Sequence, residues 1–163
     1  MTLPPAARKL LLLVHVAVSV GWLGAALAYL ALVTAALARG DAPLERATFL
    51  ALEPLTWFAL VPLALAALVT GVVQGIGTRW GLLRHYWVVF KLLLTSVATL
   101  VLLLNAQTVD ELADLARAGR MHGGLGGQLL HAAIGTAILA VTLVLALYKP
   151  RGVTPWGRRK GAA

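Results

Sequence analysis

Four long apolar runs, at about residues 10–38, 49–74, 86–107 and 125–148, are separated by short polar segments. Each reaches the roughly 20 residues that a helix needs to cross the ~30 Å hydrocarbon core of a bilayer. In two runs the polar side chains are ordered. From Lys91, within WVVFKLLLTSVATLVLLLNAQ, steps of 4, 3, 4 and 3 reach Thr95, Ala98, Leu102 and Asn105, all on one helical face. The same steps from His15 reach Ser19, Trp22, Ala26 and Tyr29. Each stripe opens with an ionisable residue. Such a group costs roughly 2.5 kcal/mol or more in hydrocarbon unless it snorkels or finds a partner. The two faces are therefore expected to meet inside a bundle, with His15 and Lys91 near one another. The expected fold class is an all-α bundle of four transmembrane helices, formed as one domain.

The segments between and within the runs add detail. Pro62 lies inside the second run and is expected to kink it. The stretch 75–81 is glycine-rich, as suits a turn at the membrane interface, and VDELADLARA predicts a short amphipathic surface helix at about 109–118 that ends at Gly119. The start of the chain has the basic character of a signal peptide. Its apolar run continues to Ala38, too long for a cleaved segment, so it is expected to remain as a span.

Composition agrees: 60% of the 163 residues are hydrophobic and 12% charged, and mean hydropathy is +0.87. The absence of cysteine excludes disulfides, thioether-attached haem, Cys-ligated zinc and iron–sulfur clusters. The net charge of +8 is assigned to anionic lipid, not nucleic acid, because the basic residues sit in loops and tails. With Arg8, Lys9, Arg79, Arg84, Lys149, Arg151, Arg158, Arg159 and Lys160 on one side and Arg39, Arg46, Arg117 and Arg120 on the other, the bias predicts both termini in the cytoplasm. The expected location is a bacterial inner membrane, as a multi-pass protein. A homo-oligomer or a membrane-complex partner stays open.

That topology sets depths. His15 and Lys91 each fall about 8 Å inside their spans by the 1.5 Å helical rise, and Gly71 and Gln74 reach the same level from the second span. The residues admit two readings. In one, His15, Lys91, Ser19, Gln74 and Thr95 form a haem, porphyrin or quinone site, with His15 as the metal ligand and Lys91 holding an acid group. In the other, Lys91 snorkels to lipid phosphate and His15 hydrogen-bonds a neighbouring helix. A second polar cluster, Glu53, Trp57, Asn105 and His131, is expected in the opposite half, with Gly127 and Gly135 flanking His131 and facing the bundle. One His with one Glu is too small a donor set for zinc. His15 and His131 lie too far apart along the membrane normal to share one iron.

The most specific piece of the chain, LVTGVVQGIGTRWGLLRHYWVVFKL, resembles a group of bacterial four-span membrane proteins, a domain of unknown function, and the likeness extends over roughly residues 10–105. More distantly, HVAVSVGWLGAALAYL and WVVFKLLL are similar to the CopD copper-resistance membrane domain and to HemJ-type protoporphyrinogen oxidases. The HemJ resemblance implies a bound b-type haem, with the functional first-span histidine and third-span lysine falling on His15 and Lys91. The chain departs from that pattern in continuing Tyr29-Leu30-Ala31-Leu32 without the arginine, and in having Asn105 where the pattern has histidine. Porphyrinogen oxidation is therefore not carried over. A methionine-rich copper motif is also missing, since there are two Met. The expected function is a haem- or porphyrin-binding membrane protein with a redox role. The alternatives are a non-catalytic subunit or assembly factor of a membrane complex, and a small metal or ion transporter.

Overall fold

The computed structural model describes residues 4–78, 81–120 and 123–159; Arg79 and Lys160, considered above, lie outside them. The helices are α1 (Pro5–Arg39), α2 (Ala42–Leu55), α3 (Val61–Gly77), α4 (Tyr86–Arg117), α5 (Leu125–Tyr148) and a short α6 (Pro155–Arg159). Local chemistry sets their ends. Pro5 opens α1, and Gly40 closes it in the left-handed region at φ 65°, donating its N–H to the Ala36 carbonyl. Asp41 then caps α2, its carboxylate accepting the Leu44 N–H at 2.8 Å.

A π turn at Thr56–Leu60 joins α2 to α3, so the second span is continuous over Ala42–Gly77. Here the Val61 N–H reaches back five residues to the Thr56 carbonyl. Pro62 follows directly. It has no N–H, and its ring crowds the Phe58 carbonyl one turn earlier. Widening the preceding turn accommodates both problems, which is the form the expected disturbance at Pro62 takes.

Among the described residues, four helical segments are long and apolar enough to span a membrane, and the chain is an all-α, multi-pass membrane protein. Among these segments, neighbours in the chain pack together and α5 returns to α1, so the four form a ring: α1, α3, α4, α5. That places α1 and α4 diagonally opposite, their inner faces directed at a common centre. The buried face of α1 is Trp22, Ala26, Tyr29, Val33 and Ala36, the continuation of the stripe that begins at His15. On α4 the stripe through Ala98 and Leu102 continues to Ala106, Val109, Ala113 and Ala116 without a break. The amphipathic segment 109–118 is thus the far end of α4, not a separate surface helix. It is packed against α2, where Phe49 and Leu52 are fully buried. At 32 residues α4 is about 48 Å long by the helical rise, well beyond the hydrocarbon thickness.

Packing is uneven along the bundle. No residue of α1 before Trp22, of α4 before Ala98 or of α5 after Leu139 is fully buried. The helices are tight at the end bearing α2 and part at the end bearing the termini. Span four departs from expectation. Gly127 is exposed, and a Cβ placed on Gly127 or Gly135 would meet open space. The buried face of α5 is instead Leu125, Gln128, Ala132 and Leu139, so the flanking glycines do not serve close helix approach.

Candidate functional site

Where the helices part they enclose a cavity of about 700 Å³, within the range of small-molecule sites. Its walls are mostly apolar and come from all four ring helices: Leu12 and Val16, Ala67 and Leu68, Val88 and Leu92, Leu143 and Leu147. His15, Gln74, Lys91 and Thr95 line it together. Arg8, Lys9 and Lys149 line it as well, from the chain positions where α1 enters and α5 leaves the bundle. A smaller pocket of about 110 Å³ adjoins it, sharing His15, Lys91 and Thr95 and adding Ser19. Four residues of the first polar group thus line the cavity, and Ser19 lines the pocket beside it.

The imidazole of His15 is held from α3. Its Nδ1 lies 2.9 Å from the Thr70 hydroxyl, which itself donates to the Ala66 carbonyl at 2.6 Å. A hydroxyl has one proton. With that proton committed to Ala66, the Thr70 oxygen accepts, and Nδ1 of His15 is the donor. This network favours Nδ1 as the protonated nitrogen of the neutral ring, and the Ala67 carbonyl is a second hydrogen-bond acceptor for it. Gly71 makes room for the ring: a Cβ there would stand 3.1 Å from the His15 Cε1. An imidazole oriented through one ring nitrogen is the arrangement in which histidine ligates a metal through the other.

The second polar group is not brought together in this way. Glu53 forms an ion pair with Arg117, which also bonds Asp114 at 2.8 Å. Trp57 donates its indole N–H to Asp110 at 2.8 Å. Asn105 instead joins a network that sequence reasoning missed. The Gln128 side-chain oxygen accepts from the Tyr29 hydroxyl at 2.6 Å and from the Asn105 amide at 3.1 Å. Gln128 is only 2% exposed and stands one turn before His131, which is half-buried. The signal was available: a glutamine inside an apolar run. Among the described residues, no group of three His, Cys, Asp or Glu side chains is placed to hold a metal ion.

Charge divides sharply between the two ends. All six side-chain carboxylates, at Asp41, Glu45, Glu53, Asp110, Glu111 and Asp114, belong to the α2 end. The cavity end has basic residues and no Asp or Glu. An occupant of the cavity thus meets apolar walls, one imidazole nitrogen and cationic side chains, which is the complement of an amphipathic anion. No family model matches the chain, and no curated protein or solved structure matches it.

Proposed function

We propose that this membrane protein binds a b-type haem or a porphyrin in the cavity between α1, α3, α4 and α5 and has a redox role. The observation that carries the reading is His15, held by Thr70 in the wall of a cavity that Lys91 also lines. The residues present suit such a group. His15 would supply a ring nitrogen to the metal, Lys91 an acid-group partner at depth, and the Leu and Val side chains a dry surface for a flat ring. Among the described lining residues there is no second His, nor any Cys or Met, and His15 is the one imidazole donor they offer. A haem held this way would supply one-electron chemistry. The protein's own part is to set the ring nitrogen, pair the acid groups and exclude water. A visible spectrum of the detergent-purified protein tests the reading: a Soret band is expected, and its absence after expression with ample haem supply sinks it.

The same reading places both termini, and the mouth of the cavity, in the cytoplasm across a bacterial inner membrane. What supports this is the excess of Lys and Arg at the cavity end. A reporter fused after Ala163 is expected to read cytoplasmic, and one inserted at Gly119 external. A cytoplasmic signal at Gly119 reverses the orientation.

A further inference from the structure

Lys149 stands out at the cavity mouth for its backbone. It caps α5 at φ 43° and ψ 65°, the only positive φ at a non-glycine residue among those described, and its N–H bonds the Leu145 carbonyl. Glycine or asparagine is the usual choice there. The chain beyond it is strapped down across the turn between α3 and α4. The Tyr86 N–H donates to the Gly152 carbonyl at 3.4 Å and the Thr154 N–H to the Arg84 carbonyl at 3.0 Å. The Thr154 hydroxyl donates to the Leu83 carbonyl at 2.5 Å and accepts the Gly157 N–H at 3.2 Å. Gly157 is required for this contact, since a Cβ would come within 2.6 Å of the Arg84 carbonyl oxygen. The turn so clamped contributes Leu82 to the cavity wall, with Trp87 and Val88 just after it. The strap therefore fixes Lys149 and the wall beside it as one unit.

We propose that Lys149 is a second anion anchor, so that the cavity selects an amphiphile bearing two acidic groups, one met by Lys91 at depth and the other by Lys149 at the mouth. The proposal rests on the reading above. Lys91 lies five residues inside α4 and Lys149 one residue beyond α5, and both line the one cavity. Protohaem has two propionates on one edge, and its dimethyl ester has neither charge.

The test is a cycle of spectral titrations. Purified apoprotein and Lys149→Asn are each titrated with protohaemin IX and with its dimethyl ester in the same detergent. Asparagine removes the charge while keeping a residue that tolerates the left-handed backbone. Binding of the diacid is expected to weaken about twofold to fivefold, as for an exposed ion pair, and binding of the dimethyl ester to stay unchanged. Lys149→Arg is expected to restore the diacid preference. Equal affinities in wild type and Lys149→Asn for both porphyrins overturn the anchor and leave the His15 reading standing. Parallel weakening of both porphyrins also overturns it, since Lys149 then acts through the fold. If neither porphyrin gives a His15-dependent spectrum, the parent reading fails and the anchor with it.

Discussion

His15→Ala is expected to abolish the Soret band of the purified protein, because no other lining side chain offers an imidazole nitrogen. Three companion variants separate ligation from packing. Thr70→Val removes the hydroxyl partner of Nδ1 but not the ring. Loss of such an orienting partner typically lowers metal affinity 10- to 100-fold, so haem should be present at expression and lost on dilution. Lys91→Ala is expected to retain the band position and weaken retention, since an acid-group partner is lost while the axial nitrogen stays. Lys91→Arg should recover part of that retention, keeping charge with altered geometry. Absorbance at the Soret band before and after gel filtration reads all four. An unchanged band in His15→Ala removes His15 as the ligand, even if haem is bound.

The fold was legible because bilayer physics leaves few choices. The stripes through His15 and Lys91 marked the inward faces of diagonal helices, and the buried residues Trp22, Tyr29, Ala98 and Leu102 continue them. Where α4 ends was not legible. Asp110, Glu111 and Asp114 interrupt the apolar run and suggest a surface element, yet the stripe of small residues at 109, 113 and 116 keeps its period and packs on α2. Charge reports water on one face; it does not break a helix. The glycines of span four misled for a related reason. Gly127 and Gly135 share a face with His131, but a small residue marks close approach only where a neighbouring backbone comes near.

Partnerships were harder to read than positions. The Thr70–His15 contact spans 55 residues of sequence and depends on which face of α3 meets α1. That face in turn depends on the π turn, which shifts the register of everything after Leu60 relative to α2. The strap through Thr154 has no periodicity and no apolar signal. Only the fold shows that the Leu83 and Arg84 carbonyls are within its reach.

Gln128→Leu is expected to be among the most destabilising single changes in the tight half of the bundle, at about 2–3 kcal/mol. Its side-chain oxygen is shared by two donors, Tyr29 and Asn105, and Tyr29 is 3% exposed. Leucine fills similar space, so no large cavity opens and packing contributes little to the loss. The loss of the acceptor shared by Tyr29 and Asn105 dominates. Each buried, unpaired polar group costs about 1–3 kcal/mol, and hydrogen bonds between membrane helices average nearer 0.6 kcal/mol because the unfolded chain in lipid also finds partners. Tyr29→Phe should cost less, about 1 kcal/mol, since Gln128 still accepts from Asn105. In the double variant the phenol no longer needs a partner, and the combined loss should fall short of the sum of the two by roughly the cost of one orphaned hydroxyl. Reversible unfolding in mixed micelles measures all three. Strict additivity, or a Gln128→Leu loss no greater than that of Tyr29→Phe, would show that the three side chains do not act as one network.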